Sequence, residues 1–147
     1  MNLNAGYDDD PSGYDRLRSG WMQRRRVDRF ADVLSSARAG DTVLELGSGT
    51  GAILEALAER RPDLHLVGVE PIGKYVKFAA QRLSGVGAGA TIREGTAEEV
   101  DQLGLPPVDW VISSDVLHHV TDESAAAEAV ARACSTGRGG WSSSRAP

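Results

Sequence analysis

The stretch Val43-Leu44-Glu45-Leu46-Gly47-Ser48-Gly49-Thr50-Gly51 constrains the fold more than any other part of the chain. Val43, Leu44 and Leu46 suit a buried strand, and Ala52, Ile53, Leu54, Leu57 and Ala58 recur at helical spacing up to the stop at Arg61-Pro62. The glycines between them are therefore a strand-to-helix turn. Glycine has no Cβ and tolerates positive φ, so such a turn can bring backbone N–H groups up against a ligand at the helix N-terminus. A tight turn without a ligand accounts for one glycine. Three within five residues, directly after an acid, point to a binding turn.

Two cofactors fit these residues. Gly47, Gly49 and Ala52 satisfy the dinucleotide pattern G-x-G-x-x-G/A, and Gly47, Gly49 and Gly51 satisfy G-x-G-x-G. The glycines do not choose between them, but Glu45 does. A carboxylate at the mouth of the strand repels a pyrophosphate and attracts an ammonium or a sulfonium, which favours S-adenosylmethionine over NAD. The run E-L-G-S-G-T-G resembles motif I of the class I S-adenosylmethionine-dependent methyltransferases, and the resemblance continues to about Val120. It implies an α/β, Rossmann-like, doubly wound parallel sheet and methyl transfer to a small-molecule acceptor. An NAD-type oxidoreductase domain and an inactive methyltransferase fragment are the alternatives.

His65-Leu66-Val67-Gly68-Val69-Glu70 reads as the second strand, ending in an acid roughly twenty residues beyond the glycines. In a strand-helix-strand unit that acid reaches the ribose hydroxyls, because a carboxylate accepts two donors at once, so Glu70 is the expected ribose ligand. Ile72 then offers an apolar face to the adenine, and Val76, Ala79, Ala80 and Leu83 mark the next helix. Ala90 to Arg93 reads as a short third strand, leading into Glu94-Gly95-Thr96-Ala97-Glu98-Glu99-Val100. This resembles the adenine-recognition segment of the family, with Thr96 where the family usually has an acid and Ala97 supplying the next N–H. A hydroxyl there accepts one bond without charge assistance. Thr96 and Glu99 also read as a capping box for a helix carrying Val100 and Leu103.

The fourth strand is expected over Val108 to Ser113, followed by Ser114-Asp115-Val116-Leu117-His118-His119-Val120, which looks like the post-strand motif of small-molecule methyltransferases. Asp115 falls at the carboxyl end of a strand, where open α/β sheets bind ligands. His118 or His119 offers a general base titrating near neutrality; adjacent histidines face different ways, and a packing role for the pair stands beside that reading. No catalytic residue is assigned, and the spacing does not suit metal ligation. Thr121 or Asp122 caps an alanine-rich helix running to about Ala133.

Length and charge bound the rest. With 147 residues and one cysteine the chain suits a single domain without an internal disulfide, in keeping with a reducing cytoplasm. A net charge of −5 gives no footprint for nucleic acid or an anionic membrane, and Arg24-Arg25-Arg26 is too short a basic run to overturn that. No apolar stretch has spanning length. Residues 1–13 are polar and expected to be mobile. Leu17, Trp21, Val27, Phe30, Ala31 and Leu34 predict one or two helices, with aromatic residues in the core. Residues 14–133 form the cofactor-binding domain.

Residues 134–147 show no strand periodicity, so they read as an irregular tail after a four-stranded sheet. They also suggest a shifted reading frame. With Trp141 encoded TGG, the three serines TCG and Arg145 AGG, reading from the third base gives Val-Val-Val-Glu. The same shift carried back to Cys134 gives Leu-Asp-Arg-Pro-Gly-Arg-Val: a helix end, a turn and the start of a buried strand.

Overall fold

A computed structural model describes residues 10–18, 20–87, 89–114, 120–134 and 140–144, the last of these by backbone alone. At its centre lies strand β1 (Thr42–Leu46), every residue of which is buried. A strand buried on both faces must be flanked by other strands and covered by helices on both sides, and that is how the chain builds outward. β2 (His65–Glu70) pairs with one edge of β1 and β4 (Trp110–Ser114) with the other, all parallel. β3 (Ala90–Glu94) extends the sheet beyond β2, and β5 (Gly140–Ser144) beyond β4, giving the order β3-β2-β1-β4-β5. The direction of winding reverses between β1 and β4, so the crevice at the carboxyl ends of these strands is where such a sheet binds ligands.

Residue alternation divides the core into two layers. Val43, Leu66 and Ile112 point to the face covered by α2 (Trp21–Val33), α3 (Ala52–Arg60) and α4 (Gly73–Leu83). Leu44, Leu46, Val69 and Val111 point to the other face, covered by a 3-10 helix (Ala97–Gln102) and α5 (Glu123–Ala133). Leu44, Leu54 and Leu57 are wholly buried, and each contributes roughly 1.5–3 kcal/mol of transfer free energy. α5 begins where expected: the Asp122 carboxylate accepts the Ala125 N–H at 2.9 Å.

Three expectations are corrected. Of one helix or two, the N-terminal stripe forms two, α1 (Pro11–Arg18) and α2, divided before Trp21 by Gly20, whose φ of 117° and ψ of −153° suit only glycine. The four-residue spacing of Leu17 and Trp21 therefore no longer puts them on one face, and both are exposed rather than core, at 86% and 60%. The Thr96–Glu99 capping box does not form. Thr96 precedes a 3-10 helix, caps no N–H, and its hydroxyl instead donates to the Glu99 carboxylate at 3.2 Å. Finally, the tail read as irregular contains β5, so the strands among the described residues number five rather than four. A serine run has no apolar alternation to reveal a strand; the pairing is made by backbone groups along the open edge of β4.

Candidate functional site

At the carboxyl end of β1 the chain turns through three glycines with positive φ: 66° at Gly47, 53° at Gly49 and 76° at Gly51. The last of these packs against α4, where a Cβ would lie 3.0 Å from that of Ala79. The turn hangs from β2. Gly47 and Ser48 both donate their N–H to the carbonyl of Val69, at 2.8 and 3.1 Å, and Gly49 donates to Oε2 of Glu70 at 3.0 Å. These N–H groups thus brace the turn internally, rather than reaching outward to a ligand as the sequence suggested. The cause is the register: Leu46 pairs with Val69, so Val69 and Glu70 lie beside the turn as it leaves β1 and supply its acceptors.

Glu70 is 1% exposed and serves three segments at once. Besides the Gly49 N–H, its Oε1 accepts from Ile72 at 3.1 Å, and its carbonyl accepts from Gly95 at 3.1 Å. Ile72, half-buried, opens α4, and Gly95 leads into Thr96 and Ala97. Glu45, Gly47, Ser48, Gly49, Gly51, Glu70 and Ile72 are therefore drawn together around the strand ends, with Thr96 and Ala97 tethered to them through Gly95. Asp115, His118 and His119 lie outside the described residues.

Glu45 is 2% exposed. Its partners across the sheet are Gly68 on β2 and Ile112 on β4, which offer no side-chain donor. Oε2 of Glu45 has no hydrogen-bond partner. Burial pushes its carboxyl well above the ordinary carboxylate range, and the charge of Glu70 pushes it further. Gly68, between these two acids on the same face, is required by packing: a Cβ there would meet Cδ1 of Leu54 and Oγ of Ser48, each at 2.6 Å. A buried acid with an oxygen awaiting a donor suits a cationic ligand.

Sequence reasoning did not anticipate a polar latch on the outer side of the turn. The Thr50 hydroxyl donates to Asp15 of α1 at 2.7 Å, and Arg82 of α4 holds the same carboxylate with both terminal nitrogens, at 2.6 and 3.0 Å. Arg82 also donates to the Thr50 carbonyl and lies 3.3 Å from Glu55 of α3. Its hydrogen bonds hold the Asp15 carboxyl below the ordinary range, against the opposing effect of partial burial. An edge-on contact between Tyr14 and buried Tyr75, with ring centroids 5.8 Å apart, completes the seat of α1. Asp15 and Arg82 are far apart in sequence and belong to no local motif, so no signal in the sequence pairs them.

A methyltransferase-domain family model matches residues 44–140. The chain is similar to an uncharacterized methyltransferase of Geobacillus kaustophilus, 37% identical over 118 residues that make up 74% of this chain and 50% of that protein. It is also similar to the ribosomal RNA small subunit methyltransferase G of Mycolicibacterium gilvum, 33% identical over 66% of this chain and 47% of that protein. Among solved structures, an S-adenosylmethionine-dependent methyltransferase from Thiobacillus denitrificans in complex with S-adenosyl-L-homocysteine superposes with a TM-score of 0.62. Its identity is 19%, with 78% of this chain and 45% of that chain covered. The chain spans about half the length of the curated relatives it matches.

Proposed function

The chain belongs to the S-adenosylmethionine-dependent methyltransferases, and from that premise we propose that it binds S-adenosylmethionine and directs its methyl group to a small-molecule acceptor. One observation carries the choice of cofactor. The Gly49 N–H that a pyrophosphate would need is occupied by the Glu70 carboxylate, and a second buried carboxylate, Glu45, stands on the same face. The Glu70 carboxylate at the turn weighs against a dinucleotide, and the Glu45 acid, which can give up a proton, favours a ligand that carries positive charge.

When bound, the cofactor supplies a methyl group on a positively charged sulfur, which is already an activated leaving group. The work of the chain is then alignment. In this reading Gly47, Ser48, Gly49 and Gly51 form the surface against which the donor lies. Glu45 would answer its charge, and Glu70 would take the ribose hydroxyls. Ile72 would cover one face of the adenine and Thr96 and Ala97 would meet its edge, and Asp115 keeps the ligand-binding role expected of it from the sequence. His118 or His119 accepts a proton where the acceptor must lose one.

Titration of the purified chain with S-adenosylhomocysteine and, separately, with NAD tests the cofactor assignment. Binding of the first and not the second is expected; the reverse would return the dinucleotide reading. The relative that acts on ribosomal RNA gives a second reading, a nucleic-acid acceptor. The net charge of −5 weighs against it, since phosphate backbones are met by clustered cations. Labelled methyl groups appearing in ribosomal RNA rather than in small-molecule fractions would favour that second reading. No helix among the described residues is long and apolar enough to cross a membrane, and the proposed setting is the cytoplasm.

A further inference from the structure

Glu45 and Glu70 are two carboxyl groups buried on one face of neighbouring strands, separated by a glycine. They are not equivalent. Glu70 has two backbone N–H donors, one on each oxygen, and such donors stabilise a negative charge. Glu45 has an oxygen with no donor at all. Its neighbours across the sheet are Gly68 and Ile112, and Ser48 and Leu54 fill the space over Gly68; none of these carries charge. Around the turn, Arg82 of α4 is engaged by Asp15 of α1 and Glu55 of α3. With a donor on each oxygen of Glu70 and none on Oε2 of Glu45, Glu70 takes the charge and Glu45 the proton.

We propose that Glu45 is a proton-linked receptor for the cofactor's positive charge, protonated in the free protein and releasing its proton as the cation binds. This rests on the reading of the site as one for S-adenosylmethionine. The proton goes to solvent, the charge stays on Glu45, and no bond to the cofactor is made or broken. The shared chemistry is a cationic group; the methyl donor carries two, an ammonium and a sulfonium, and the demethylated product only the ammonium.

Calorimetric titration of the full chain with each compound, in two buffers of different ionisation enthalpy, counts the protons released. About one proton per bound cofactor is expected on the acid side of neutrality, with affinity rising about tenfold per pH unit until Glu45 is ionised in the free protein. Equal release with both compounds assigns the effect to the ammonium; release with the donor alone assigns it to the sulfonium. In Glu45→Gln, binding should release no proton and lose its pH dependence. Binding by the natural chain without proton release overturns the inference while leaving the cofactor reading intact; absence of binding at every pH overturns both. A second measurement is free of cofactor. Melting temperature should fall as pH rises above the ordinary glutamate value of 4.5 in the natural chain, and this fall should be absent in Glu45→Gln. Identical profiles would show that Glu45 is not the protonated acid.

Discussion

Arg82 grips Asp15 with two nitrogen–oxygen contacts of 2.6 and 3.0 Å, and through that grip α1 is held against the outer side of the glycine turn. Neither side chain is more than a quarter exposed, so the pair lies between the surface case, worth little, and the fully buried case. Asp15→Asn should cost about 1 to 2 kcal/mol, measured by denaturant unfolding. The sign with pH follows from the lowered pKa. The contribution is complete above the ordinary value of 3.8 and is lost as pH falls through the lowered one. The natural chain should therefore lose stability in acid over a window that Asp15→Asn does not show.

Gly49→Val should abolish S-adenosylhomocysteine binding. A φ of 53° disfavours any residue with a Cβ, by about 1 to 2 kcal/mol, and a branched side chain blocks close approach of a ligand to the turn. Unchanged affinity by calorimetry would remove the turn from the cofactor site.

Glu70→Ala leaves the buried N–H groups of Gly49 and Ile72 without their acceptor, so stability should fall as well as cofactor affinity, each by about 1 to 3 kcal/mol. Glu70→Gln keeps one acceptor oxygen and should fall between the two proteins. If affinity drops in both variants while the melting temperature does not move, the bracing role described above is wrong.

Gly68→Ala should destabilise the fold by about 1 to 3 kcal/mol, because Leu54 and Ser48 occupy the space its methyl would need. Thermal unfolding reads this directly; a neutral result would mean that the turn can shift away from β2.

The serines of β5 stand where a parallel strand ordinarily carries an apolar run. We expect the coding DNA, read one base out of step from about Cys134, to encode Val-Val-Val-Glu in this place and further strands beyond it. Sequencing the gene and its downstream region decides this: early stops in the shifted frame would make the polar strand native.

The parts legible in the sequence were those written locally. The apolar run of β1, the glycines after it and the acid closing β2 each carry their meaning in neighbouring residues, and Asp122 shows its capping role in the same way. What was not legible depends on partners distant in the chain. Asp15 meets Arg82 only because α1 folds back over α4, and Leu17 and Trp21 read as one stripe only until the backbone turns at Gly20. Thr96 shows the intermediate case. Its three-residue spacing to Glu99 was correct, but the 3-10 geometry sends the hydroxyl to the carboxylate rather than offering its oxygen to an N–H.

Glu70 fixes Gly49, Ile72 and Gly95 from a single residue, through two carboxylate oxygens and one carbonyl. In the language of machining it is a common datum: three surfaces dimensioned from one point, so that an error in one does not add to the errors of the others. The helices around the sheet can then drift in sequence and in angle while the turn, the opening of α4 and the end of β3 keep their spacing.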